Sequence, residues 1–168
     1  MATLLTAREP TVMSHITQAK RALQALLQEQ LPAWLSRGDA LANDGVTSDP
    51  PAVIYLEDRE ALDIYPALEL VVTSSRPARD SYAQLMEHRL AIGFTLAGSD
   101  ISVLAVQAER YMWALRHVCR DTLLAPDCPT GPIETGAEQY TPLDRNAGNV
   151  ESPFVKAGFI ELSLTTVE

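Results

Sequence analysis

The stretch Met86-Glu87-His88-Arg89-Leu90-Ala91-Ile92-Gly93-Phe94-Thr95-Leu96 decides the fold. Met86, His88, Leu90, Ile92, Phe94 and Leu96 form one largely apolar register. Glu87, Arg89, Ala91, Gly93 and Thr95 stand between them and are polar or small. Alternate side chains of a strand point to opposite faces. The pattern therefore predicts a strand covered on one side, as in an antiparallel sheet. A helix would repeat its apolar residues at three and four.

Working outward, Ala67–Thr73 is rich in β-formers and predicts a second strand. The polar stretch Ser74–Ser81 joins it to the first, giving a hairpin with a long arm. Ala52–Leu56 is a short apolar run and reads as a buried strand. Glu57-Asp58-Arg59-Glu60 then crosses solvent. Downstream, Ile160, Leu162, Leu164 and Thr166 alternate with Glu161, Ser163, Thr165 and Val167, which predicts a closing strand. A short strand is expected around Glu138–Tyr140, a loop over Ala125–Gly136 and a turn at Asn146–Asn149.

Two segments carry helical spacing instead. Val12, Ile16, Ala19, Leu23, Leu26, Leu27 and Leu31 fall on one helical face, with Thr11 as N-cap. Pro32 lacks an N–H and is expected to end or kink this helix, leaving Trp34 and Leu35 to turn back onto the core. Ile101, Leu104, Ala108, Tyr111, Met112, Leu115, Val118 and Cys119 form the second stripe, capped by Ser99 or Asp100 and fading near Asp121. Parallel strands need crossover helices, and only one helix stands between strands. The expectation is a single α+β domain over residues 1–168. It has a mainly antiparallel sheet, a long β-hairpin arm and two main helices packed on one face.

The totals narrow the function classes. Thirteen basic against 22 acidic residues give a net charge of −9. Binding along a nucleic-acid backbone rests on Lys and Arg neutralising phosphates, so this balance argues against it. Cys119 and Cys128 are too few for a disulfide framework and read as reduced thiols. The first residues lack a basic stretch followed by a long apolar one, so no signal peptide is expected, and no apolar run is long enough for a membrane span.

The motifs of common chemistries fail on spacing. The eight glycines are scattered, with no phosphate-cradling cluster, and Gly-x-Ser-x-Gly is absent. His117 and Cys119 lie two apart on a helix, roughly 200° around its axis, so they cannot pair directly. His117, Cys119 and Cys128 lack the pairing and the fourth ligand of a zinc site. Glu57, Asp58 and Glu60 lack the regular ligand positions and central glycine of a calcium loop. His88 reads as a satisfied or rim residue of the sheet, and His15 carries no signal. No catalytic residue, metal or cofactor is therefore expected. Candidate partner-surface residues are Arg76, Arg79, Asp80 and Tyr82 on the arm, with Phe154 and Phe159 before the last strand. An extended arm costs conformational entropy, which a neighbour that orders it would offset.

The layout resembles the tail terminator proteins of long-tailed bacteriophages. The resemblance rests on Ala19-Lys20-Arg21-Ala22-Leu23, Ala52-Val53-Ile54-Tyr55, the hairpin, Ala108–Leu115 and Lys156–Leu164. It spans most of the chain in order, but these are patterns of fold, shared with neck and head-completion proteins. It implies a homo-oligomeric ring, usually of six copies, in the tail or neck of a virion assembled in the host cytoplasm. Its partners would be the tail-tube protein and the head-tail connector on the portal side. It implies no catalysis and no membrane. DNA would pass through without sequence-specific binding, and an acidic lumen would let it slide by charge repulsion. The alternatives are a head-completion or neck adaptor, or a small non-viral α+β ligand-binding domain or enzyme. For the last, His88, Glu87 and Cys119 would be the first residues to test.

Overall fold

The computed structural model describes residues 15–57, 59, 61–78, 85–120 and 133–167. In chain order the elements are α1 (His15–Ala42), β1 (Val53–Tyr55), β2 (Ala67–Pro77), β3 (Leu85–Gly98), α2 (Ile101–Cys119), β4 (Glu134–Tyr140), β5 (Asp144–Arg145) and β6 (Phe154–Val167). The strands form one six-stranded sheet in the order β1-β2-β3-β6-β4, with β5 also on β6. The two helices and the sheet share one core, so the α+β architecture is as the sequence predicts.

The alternation in β3 does what its pattern requires. His88, Leu90, Ile92, Phe94 and Leu96 are buried, and the residues between them are not. Ile160, Leu162, Leu164 and Thr166 of β6 are buried on the same side, opposite β3 in antiparallel register. β2 adds Leu68 and Leu70. The closing strand is longer than its alternation suggested, running back to Phe154 along the whole of β3.

Three sequence expectations need correction. The first concerns Pro32, which neither ends the helix nor turns Trp34 and Leu35 back: α1 continues through it to Ala42. A proline inside a helix costs about 3 kcal/mol. Several contacts beyond it offset that. Leu35 extends the buried i, i+4 row of Ala19, Leu23, Leu27 and Leu31, and full burial of one such leucine contributes about 1.5–3 kcal/mol. Further along, Trp34 packs edge-on to Trp113 of α2, Gly38 leaves room for that ring, which a Cβ there would approach to 3.3 Å, and Asp39 pairs with Arg110. Tertiary packing thus outweighs the local break.

The second correction concerns β1, which pairs with β2 in parallel. The described residues of the connection between them contain no helix, and only Val53–Tyr55 take part in the pairing. The third concerns the arm. The polar connection is strand as far as Pro77, and β6 accompanies β3 down to Leu85 opposite Val167. The base of the arm is therefore three strands wide. Similarly, Gly136 belongs to β4, not to a loop. Thr11, Val12, Asp58, Glu60, Ser81, Cys128 and the loop before residue 133 lie outside the described residues.

α2 starts where expected. Asp100 is its N-cap, and its Oδ1 accepts from the backbone N–H of Ser102 at 2.8 Å and of Val103 at 3.2 Å. That satisfies two of the four donors a helix start leaves open. Every residue of the expected stripe is buried except Ile101.

Candidate assembly surface

His88 is 2% exposed. Its Nδ1 meets Ser75 Oγ at 2.7 Å and its Nε2 meets Thr166 Oγ1 at 2.8 Å. A hydroxyl on one ring nitrogen suggests a nucleophile–base pair, but the third group is another hydroxyl, where a triad uses a carboxylate to orient the ring. The arrangement ties β2, β3 and β6 together across the base of the arm. Cys119 is buried in the core, and burial pushes its thiol up to about 12, so the nucleophilic thiolate is scarce at neutral pH. His117 is exposed and stacks on Trp34 at 4.6 Å, away from Cys119. Glu87 is held by Arg76. Two cavities, of about 240 and 620 Å³, open beside Tyr111 and beside Trp113, and His88, Glu87 and Cys119 line neither.

Sequence reasoning missed Arg110. It is buried on α2, where it pairs with Asp39 at 2.7 Å, with Asp44, and with the Val46 carbonyl. Asp39 also accepts from the Ser48 N–H at 2.7 Å and its Oγ at 2.9 Å. The Arg110 guanidinium and the Val46 N–H hold the Asp44 carboxyl below its ordinary range. The network pins the turn after α1 to α2. The only sequence signal was a charged residue flanked by the buried stripe. Tyr111 assists by donating to the Asp49 carbonyl at 2.5 Å.

The sheet presents two faces of different character. α1 and α2 cover the face bearing Leu70, Leu90, Ile92, Phe94, Ile160 and Leu162. Among the described residues no helix lies on the other face, which carries Val71, Ala91, Gly93, Thr95, Ala157 and Phe159. Near the arm this open face turns charged, with Arg76, Glu87, Arg89 and Glu161.

The predicted partner residues separate on these surfaces. Arg76 lies on the open face, with 55% of its side chain exposed, and clasps Glu87 across the strands at 3.0 and 3.1 Å. Phe159 is on the same face. Phe154 is not: five residues earlier on the same strand, it points to the covered face and packs against the core. Arg79, Asp80 and Tyr82 lie outside the described residues.

Exposed apolar side chains gather at one margin of the sheet. Tyr140 ends β4, Leu143 follows it, and Val150, 93% exposed, precedes β6. All seven residues of β4 are exposed, with β6 on one flank.

No protein-family model matches the chain, and no curated protein matches it. Among solved structures 25 chains match. One belongs to the virion of a native gene transfer agent particle, with a TM-score of 0.48 and 10% identity over 89% of this chain and 94% of that one.

Proposed function

We propose that the protein is a structural component of a phage-type virion that assembles as a homo-oligomeric ring at the end of the tail tube, where tail meets head connector. The observation that carries this reading is a sheet whose open face and outer edge are left without cover by the described residues of one chain. A monomeric domain usually protects such edges and faces, and a ring subunit needs them. The sequence layout, with its two helices, hairpin and closing strand, supplies the kind of ring. The chain's role is contact and not reaction: its buried polar groups are spent on internal ties, as at His88 and Arg110.

The partners on this reading are copies of the same chain, the tail-tube protein and the connector. The net negative charge suits a passage for DNA that must not stick. Light scattering of the purified chain, alone and with tail-tube protein, tests it. A closed oligomer, six copies by the resemblance, is expected. A strict monomer at high concentration under both conditions would overturn the proposal.

A further inference from the structure

The two longest strand edges without partners among the described residues lie at opposite sides of the sheet. One is β4. The other belongs to β2. β1 pairs only with Ala67–Glu69, so among the described residues the outer edge of Leu70–Pro77 has no strand beside it. These two free runs match in four independent ways.

The first match is polarity. β2 is antiparallel to β3, β3 to β6 and β6 to β4, so β2 and β4 run in opposite directions. Continuing the sheet from one copy into the next sets them antiparallel. The second match is length: with Leu70 opposite Tyr140, Arg76 comes opposite Glu134, so all of β4 is used and only Pro77 of the β2 run is left beyond it.

The third match is the position of the irregularities. β2 has a one-residue bulge between Val72 and Ser74, and β4 has one between Thr135 and Glu138. A bulge in one strand shifts its side chains to the opposite face relative to a regular partner. Here the two bulges fall opposite each other, so the faces agree on both sides of them. Leu70 and Tyr140 both lie on the helix-covered face, Val71 and Gln139 on the open face, and Val72 and Glu138 on the covered face. Beyond the bulges, Ser75 and Thr135 share the covered face and Arg76 and Glu134 the open one.

The fourth match is charge. Arg76 is the only charged residue of Leu70–Pro77, and Glu134 and Glu138 are the only ones of β4. Arg76 spends Nε and Nη2 on Glu87, which leaves Nη1 to meet a second carboxylate. β1 would sit end to end with the incoming β4 along the same edge of β2.

We infer that the free edge of β2 in one copy takes β4 of a second copy as an antiparallel strand, in the register Leu70–Tyr140 and Arg76–Glu134. The two edges differ, so the contact is head-to-tail and each copy uses both. Such contacts make a ring where the rotation from copy to copy closes, and an open filament where it does not. This rests on the ring reading above and specifies its interface.

The test is a Val71→Cys, Gln139→Cys double variant of the full chain, oxidised after assembly. The expected product is a ladder of covalent multimers on a denaturing gel, absent from either single variant. In parallel, amide exchange of the unmodified chain should slow over 70–77 and 134–140 on passing from dilute to assembled protein. Replacing Arg76 by Glu should weaken association roughly fivefold, since an opposed charge pair across strands is a modest contribution, and adding Glu134→Arg should restore it. A closed oligomer with neither ladder nor slowed exchange removes the edge contact and leaves the ring standing. A strict monomer removes both.

Discussion

Two phenylalanine–glycine pairs sit next to each other on β3 and β6, one on each face of the sheet. Phe94 pairs with Gly158 on the covered face, and Gly93 with Phe159 on the open face. A Cβ at Gly158 would lie 2.7 Å from Phe94 Cζ and 3.0 Å from the Gln139 carbonyl. A Cβ at Gly93 would meet nothing nearer than the Gly158 carbonyl at 4.0 Å. The two pairs have the same composition on the same two strands. On one side the glycine is demanded by the chain's own packing. On the other, no described neighbour demands it. The covered face is filled by the chain's own described residues, and the open face is not.

The largest expected effects lie on the filled side. Phe94→Ala removes a buried ring that touches Tyr111 and overlies Gly158, and should lower stability by about 3–5 kcal/mol in urea unfolding. Gly158→Ala forces that ring or the β4 backbone to move, at about 1–3 kcal/mol. Phe159→Ala, on the open face, should cost the isolated chain distinctly less than Phe94→Ala. Equal losses would erase the distinction between the faces.

Next is Arg110. Arg110→Met leaves Asp39 without its cation partner and frees the turn after α1, at about 2–3 kcal/mol in the same assay. Amide exchange over 43–49 should speed up more than over β3. Uniform acceleration would show that the network stabilises the whole fold and not that turn.

A smaller effect tests how firmly β4 is tied to the covered side. Arg116 on α2 bonds Glu138 through two N–H groups at 2.6 Å, and that bond holds the Glu138 carboxyl below its ordinary value of 4.5. A lowered folded value means the unfolded chain binds the proton more readily. The contribution is therefore complete above about pH 4.5 and is lost as pH falls through the folded value. The pair is partly exposed, so under about 1 kcal/mol is at stake. Glu138→Gln should flatten the fall in melting temperature on acidification below that point. An unchanged profile would mean the pair contributes nothing in solution.

Much of the covered side was legible in the sequence, and little of the rest was. Alternation in 86–96 and 160–166 marked the buried faces because burial there is a property of period alone. Asp100 marked its cap because capping is local. Pro32 misled because what carries α1 past it, Trp113 and Arg110, lies over 70 residues away. The covered-side placement of Phe154 was not legible, because its face depends on the register of a strand whose start the alternation did not reveal. Arg110 was hidden because an arginine beside an apolar stripe reads as solvated until the carboxylates of Asp39 and Asp44 are brought to it. The edges of β2 and β4 were invisible, since an edge is defined by what fails to pair, and that requires the strand order.

Gly93→Ala should give the smallest change, and of the opposite sign. Glycine inside a strand costs about 0.5–1 kcal/mol relative to alanine through the freedom it loses on folding. Residue 93 has no described neighbour in the way of a methyl group, so the substitution should raise the stability of the isolated chain by up to that amount. Measured on dilute protein, a small rise in melting temperature is expected. A loss comparable to that of Gly158→Ala would mean that something covers Gly93 within a single copy, and the two faces would then differ less than the register of Phe94 and Phe159 implies. If dilute protein is stabilised while assembled protein is weakened, the bare backbone at 93 is kept for close approach by another molecule. That would be the physical reason for placing a glycine in the middle of the strand that defines the fold.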